Sequence, residues 1–355
     1  MRVLIIGAYP PPIGGNSVHI KRLRDELCAR DICCDVADIY GMPDSTESPD
    51  KGVYRVGPAG VVAVWRAIGV MRKEVYDVIH FHVSATDRFV YAGLVLLLAM
   101  PGRAKSIVTV HSGSFSDNYR ALPCVKKFLL RFVFRRFDRI ITVNRDQQTV
   151  LELMGVDERA RDVIPAYLPP KMQPCSVADR AIGRLRKDGR LLMITSGYGT
   201  PLYGYHTIIA AIKNSAALRG KVSLLLCIYN RISEPYMTEL KHSIADLGFV
   251  EILYNLSPEQ FAYTLSRGDL YIRATNTDGD AVAVREAANF GVPVLASDAS
   301  ERPSYCALFR TGDSSDLILR LREHLDSPRS IHKASDTLSS TADRIVALYL
   351  ALGGR

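Results

Sequence analysis

Thr277-Asp-Gly-Asp-Ala-Val-Ala-Val-Arg-Glu-Ala-Ala-Asn-Phe-Gly-Val-Pro-Val-Leu-Ala-Ser-Asp298 reads as an acidic glycine loop, a short helix and a buried strand. Gly291 follows the last helical residues as a stop, and Pro293 leads into an apolar run over 294–297. A second such run, 270–273, precedes the loop, so the stretch is strand, helix, strand, the unit of a parallel sheet. The same alternation extends toward the N-terminus, with strands expected over 191–196, 222–228 and 250–254. One intervening helix is marked at its start by Ser257-Pro-Glu-Gln260, an N-cap serine, a proline at the first helical position and a capping-box glutamine. Ahead of this block, 166–190 holds Pro169, Pro170, Pro174 and a charge cluster of weak periodicity, and reads as a linker. The alternation then recurs with strands over 3–7, 34–38, 78–82, 106–110, 140–143 and 162–165.

The sequence therefore predicts an α/β chain of two doubly wound, Rossmann-like domains, at 1–165 and 191–330, joined by the 166–190 linker. The remaining segment, 331–355, includes an amphipathic helix over 342–352 that is expected to pack back on the N-terminal domain. Such an arrangement puts ligands in a cleft lined by the carboxyl ends of both sheets.

Composition agrees: 355 residues divided by about 150 suggests two domains. A hydrophobic fraction of 48% and a charged fraction of 23% exclude disorder, collagen-like repeats and coiled coil. The longest nearly apolar stretch, 89–100, is too short to span a bilayer. Met1-Arg2 runs straight into a strand with no small-residue cleavage site behind it, so the sequence reads as cytoplasmic. Seven cysteines form no CxxC pair, which argues for free thiols rather than zinc or disulfides. The formal charge of +8, from 45 basic and 37 acidic residues, favours an anionic partner.

Several constellations could carry chemistry. Gly14-Gly15 lies at the first strand-to-helix turn, where free N–H groups can face a phosphate, although the spacing fits neither GxGxxG nor a P-loop. His111, just past a buried strand, is either a hydrogen-bond donor to substrate or a histidine satisfied by local backbone. His80 and His82 share one face of a strand; a metal pair would need a third ligand, and none is recognisable. Asp278 and Glu286 lie eight apart around a helix start, able to hold sugar or ribose hydroxyls while the N–H groups after Gly279 hold phosphate; they are otherwise ordinary helix-start charges. In the helical stretch 124–137, Val125, Phe128, Leu129, Phe132 and Val133 share one face, with Lys126, Lys127, Arg131, Arg135 and Arg136 around the rest. This is the pattern of a helix lying in an anionic membrane interface, or of a core helix with solvated cations. No nucleic-acid module is recognisable.

The 277–298 stretch resembles the E-x7-E region of the family 4 retaining glycosyltransferases, of GT-B fold, with Asp278 in the place of the first glutamate and Glu286 as the second. The Gly14-Gly15 loop, Asp77-Val-Ile-His80, His111, Ile141-Thr-Val-Asn144 and Val163-Ile-Pro165 follow in family order, so the resemblance covers nearly the whole chain. It implies a hexosyltransferase-type enzyme using a UDP- or GDP-linked sugar, with no metal or other cofactor. Catalytic roles would fall to Asp278 and His111 at the transferred sugar and to Glu286 at the ribose. Gly15 would approach the diphosphate, and Gly279, Asp280, Ala281 and Val282 would contact sugar and phosphate through their backbone. The acceptor it implies is a lipid-linked saccharide at the cytoplasmic face of a membrane, in envelope or extracellular polysaccharide assembly. The sequence departs at Gly197-Tyr198-Gly-Thr-Pro-Leu-Tyr203-Gly204, where family members carry G-R-x4-K-G. Arg273 and then Arg285 are the candidates to replace the two missing cations. A donor without a nucleoside diphosphate, or a non-catalytic binding subunit, are the alternatives.

Overall fold

The computed structural model of the chain describes residues 1–41, 50–58, 60–186, 189–326 and 340–353. Two compact units emerge: Met1–Leu168 with Ser339–Arg355, and Pro169–Leu338.

The first unit is built on β1 (Arg2–Gly7), β2 (Cys33–Asp38), β3 (Val53–Arg55), β4 (Val78–Val83), β5 (Lys105–Val110), β6 (Arg139–Thr142) and β7 (Arg161–Val163). All pair in parallel in the order β3-β2-β1-β4-β5-β6-β7. The second unit carries β8 (Leu191–Gly199), β9 (Val222–Ile232), β10 (Val250–Tyr254), β11 (Leu270–Arg273), β12 (Val294–Ser297) and β13 (Ala307–Phe309), again parallel, in the order β10-β9-β8-β11-β12-β13. Helices cover both faces of such sheets, which is why the central strands read as unbroken apolar runs: Val3, Leu4 and Ile5 are fully buried, as are Leu224, Leu225 and Leu226. Strand order reverses between β1 and β4, and between β8 and β11. At these two points the chain leaves neighbouring strands in opposite directions and opens a crevice at their carboxyl ends.

Two strands lie outside the sequence expectation, β3 and β13. Each is three residues long and sits at a sheet edge, too short to show a period. The stretch read as a linker contains a helix, Ser176–Leu185, within the second unit. Its buried face is Ala178, Ala181, Ile182 and Leu185, a helical spacing whose two alanines contrast weakly with Asp179, Arg180 and Arg184 beside them. Of the segment 331–355, residues 331–339 lie outside the described ones. The final helix, Ser340–Gly353, places Ala342, Ile345, Val346 and Tyr349 in one core with Val3, Ile5 and Val78 of the first sheet, and Asp343 pairs with Arg30 at 2.7 Å. The seven cysteines are unpaired, four of them buried. Among the described residues no helix is long and apolar enough to cross a membrane.

Candidate active site

The second unit gathers most of the donor candidates at its strand-order reversal. β8 ends at Gly197-Tyr198-Gly199, and the chain turns through Tyr203 and Gly204 into the helix Tyr205–Asn214. Gly204 has φ +65°, and a Cβ there would lie 2.0 Å from the carbonyl oxygen of Ala274, so only glycine allows this loop to sit against the end of β11. The Asn276 N–H donates to the Leu202 carbonyl at 2.9 Å and ties the two loops together.

Arg273 ends β11 and points back across the crevice. Its Nε and Nη2 donate to the two carboxylate oxygens of Asp278, at 2.8 and 3.1 Å, and its Nη1 donates to the Ser196 carbonyl at 3.1 Å. Asp278 is held from another side by Arg302, whose Nη1 donates at 2.9 Å, and it also accepts from Thr275 Oγ1 at 3.1 Å. Arg302 is anchored in turn to the Ser297 carbonyl and to Thr275, and its side chain is buried. Burial alone would raise the Asp278 pKa, but the two guanidinium groups overcome it and hold the carboxyl well below its ordinary range. Two arginines share one aspartate, so the cluster carries a surplus positive charge. Arg302 was not singled out from the sequence, because it lies in the loop after β12 with no motif around it.

Tyr198 and Tyr203 are packing partners of this cluster. A Cβ on Gly197 would lie 1.8 Å from the Tyr203 ring, which therefore rests on the bare backbone of β8. The Arg273 guanidinium carbon sits 5.1 Å from the centre of the same ring, within cation–π range, and Tyr198 meets the ring edge-on. Burial pushes the Tyr203 phenol up to about 12, so it stays neutral.

Beyond the acidic loop, Ala281 caps the helix Val282–Asn289 without a side-chain hydrogen bond, leaving its first N–H groups to water or a ligand. Gly279, Asp280 and Val282 are partly exposed beside it. Glu286 lies one turn in and is 2% exposed, near enough to Tyr229 to oppose ionisation of that buried phenol. Arg285 Nε donates to both oxygens of Asp280, at 2.6 and 2.8 Å, so this arginine is already neutralised by a partner.

The first unit presents a different chemistry at the equivalent place. Gly14 precedes the helix Gly15–Ala29, and its N–H donates to Ser17 Oγ at 3.0 Å. From this helix His19 comes to within 5.3 Å of His82 on β4 and 5.1 Å of His111 after β5, ring centre to ring centre. His82 Nδ1 and His111 Nε2 are 2.9 Å apart, in hydrogen-bond contact, and His19 Nδ1 donates to the Ala166 carbonyl at 2.7 Å. His80 lies deeper, between Tyr349 Oη and Thr109 Oγ1 at 2.6 and 2.7 Å. Burial lowers all four imidazoles, His19 to about 4, His80 to about 3 and the other two well below their ordinary value, so the cluster is neutral. His19, His82 and His111 bring candidate ligand atoms within 4.8 Å of one another, a set that keeps His82 of the pair expected from sequence but not His80, whose two ring nitrogens face Tyr349 and Thr109. Neutral imidazoles in this arrangement also suit hydroxyl groups, as donor or acceptor according to tautomer.

The basic helix, Cys124–Phe134, divides otherwise than its sequence face suggests. Leu130, Val133 and Phe134 are buried, whereas Val125, Phe128 and Phe132 are exposed. Lys127 donates to the Arg120 carbonyl at 2.8 Å, Arg131 to that of Met154 at 3.2 Å, and Arg136 stacks over Phe132 at 4.4 Å. Lys126 is partly exposed and Arg135 exposed.

Residues 14–166 match the glycosyl transferase 4-like domain, a match that covers most of the first unit. Among solved structures, the chain is similar to the sucrose-phosphate synthase of Thermosynechococcus elongatus, with TM-score 0.74 at 15% identity over 99% of this chain and 96% of that one. It is also similar to Anabaena HepE in complex with UDP-glucose (TM-score 0.68, 16% identity, 100% and 97% coverage). A putative UDP-N-acetylglucosamine 2-epimerase from Listeria monocytogenes shares the architecture at TM-score 0.65 and 17% identity, covering 99% and 96%. At these identities the structures establish the fold. No curated protein matches the sequence. Residues 14–166 thus resemble a glycosyl transferase 4-like domain, and the chain shares the two-unit α/β architecture of these structures, the GT-B fold.

Proposed function

We propose that the chain transfers a hexose from a nucleotide donor to a saccharide carried on lipid, with retention of anomeric configuration. The observation that carries this reading is the surplus charge of the Arg273–Asp278–Arg302 cluster at the strand-order reversal of the second unit. In the transfer the bond between the anomeric carbon and a phosphate oxygen breaks, a bond to the acceptor oxygen forms, and the acceptor proton passes to the departing phosphate. Negative charge grows on the leaving phosphate, and buried, pre-oriented guanidinium groups are suited to meet it. The uncapped start of the helix Val282–Asn289 adds backbone donors, and Glu286 accepts the ribose hydroxyls. Asp278 acts chiefly as the counter-charge that positions two arginines; a sugar hydroxyl has only Oδ1, with its single donor, to approach. His111, with His82 behind it, offers a neutral ring to the transferred sugar. HepE bound to UDP-glucose supports a UDP-linked donor for this fold. The exposed phenylalanines and cations of the helix Cys124–Phe134 support residence on an anionic membrane, at the cytoplasmic face in this reading. A second reading is favoured by Tyr203, which stands at the sequence position of the lysine in the resembled family and packs its ring on the bare backbone of Gly197: the chain then binds a sugar phosphate without a nucleotide, or binds without turnover.

The test is a calorimetric titration of UDP into wild type and Glu286→Gln. A carboxylate accepting two ribose hydroxyls should lose roughly 1.5–3 kcal/mol of binding when neutralised. Equal affinity of a folded variant removes Glu286 from the ribose, and no UDP binding by either protein favours the second reading.

A further inference from the structure

Three helices of the first unit leave apolar side chains in water on one side. The helix Val61–Met71 buries Ala67, Ile68, Val70 and Met71, the helix Thr86–Ala99 buries Val90 and Leu96, and the helix Cys124–Phe134 buries Leu130, Val133 and Phe134, all in one core against the sheet. The middle helix touches both of the others. Their opposite faces therefore look the same way, away from the sheet. On that side Trp65 is 66% exposed, Leu98 74% and Phe128 69%, and Tyr91, Val95 and Phe132 join them. The spacings 91, 95, 98 and 125, 128, 132 each follow one helical stripe. A water-facing surface does not normally collect tryptophan, phenylalanine and leucine over three adjacent helices.

The charge around this face is one-sided. Residues 61–73 and 124–136 together carry eight lysines and arginines and no carboxylate. The nearest following acid, Glu74, is paired with Arg2 at 2.9 Å. We infer that this three-helix face is a bilayer-docking surface, in which Trp65, Leu98 and Phe128 enter the headgroup boundary of an anionic membrane while the flanking cations meet lipid phosphates. An apolar plane flanked by two helices rich in cations complements an anionic interface, where tryptophan and tyrosine are preferred residents and each nearby cation adds attraction. This deepens the membrane reading above by moving the contact from one basic helix to a plane centred on a helix with no basic signature of its own, and it rests on that reading only for the helix the two share.

The chain reports on the question itself, because Trp65 is its only tryptophan. Emission of the full chain is recorded during titration with vesicles of phosphatidylglycerol and phosphatidylcholine, alongside sedimentation of the same vesicles. Docking through the face predicts a blue shift, quenching by lipids brominated on the acyl chain, and a roughly tenfold weaker vesicle affinity for Leu98→Asp, whose exposed site tolerates the change. Sedimentation with unmoved emission overturns the three-helix face and leaves the basic helix alone as the anchor. No sedimentation at low salt overturns both readings. A blue shift that appears with rising protein concentration and no lipid assigns the face to a second copy of the chain and overturns the lipid proposal.

Discussion

The carboxyl edges of the two sheets occupy the same topological place and differ in charge, one neutral and the other positive. At the first sheet, four imidazoles are packed together and held neutral by burial. At the second, two guanidinium groups close on one carboxylate and leave a positive excess. One doubly wound architecture thus offers a neutral, tautomer-adjustable surface in one unit and a fixed charge in the other. The neutral cluster suits hydroxyl groups and the charged one suits phosphate.

The largest expected effect breaks the charged side. Asp278→Asn leaves Arg273 and Arg302 buried against each other, and loss of one partner from a buried ion pair typically costs about 3–5 kcal/mol. The matching change on the neutral side, His82→Gln, leaves no charge behind and should cost about 1–3 kcal/mol. Urea unfolding of both variants checks this; equal losses would mean that the two clusters do not differ in kind.

Acid sharpens the contrast. His19 and His80 titrate near 4 and 3 when folded but near 6.5 when unfolded, so below about pH 6.5 the unfolded chain takes up protons that the folded first unit refuses. Stability is complete above that pH and falls as it drops, by about 2 kcal/mol per histidine at pH 5. The Asp278 carboxyl is also lowered, from 3.8, so its contribution persists at pH 5 and is lost only below about pH 4. Hydrogen exchange at pH 7 and 5 should show β4 and β5 loosening before β8 and β11. The reverse order would contradict the assignment.

A smaller effect is expected at Gly197→Ala, where the new methyl meets the Tyr203 ring and the ring must shift, at about 1–3 kcal/mol. Adding Tyr203→Ala should restore most of the stability while loosening Arg273. Restored stability with unchanged nucleotide affinity would show that the ring does not position the arginine.

Much of this was readable in the residues. Long apolar runs such as 222–228 and a capping box at Ser257 to Gln260, whose hydrogen bonds are present, give strong local signals. The edge strands β3 and β13 gave none, and the helix Ser176–Leu185 was masked by its alanines. At the site, Arg273 and Asp278 could be named because they flank a loop and a helix start. Arg302 could not: it is 24 residues from Asp278 and joins it only through the fold. The gathering of His19, His82 and His111 from separate strands and a helix is likewise a property of strand order, and no spacing in the chain announces it.

The central proposal is that Arg273 supplies positive charge to the phosphates of a nucleotide donor. Its removal is a clean experiment, because Arg302 still pairs with Asp278 and no buried carboxylate is left alone. UDP and GDP are titrated calorimetrically into wild type, Arg273→Ala and Arg285→Ala. The account predicts a roughly 10–100-fold loss of nucleotide affinity for Arg273→Ala, the worth of one charged hydrogen bond, and a far smaller change for Arg285→Ala, already paired with Asp280. Wild-type affinity in a folded Arg273→Ala protein would contradict it.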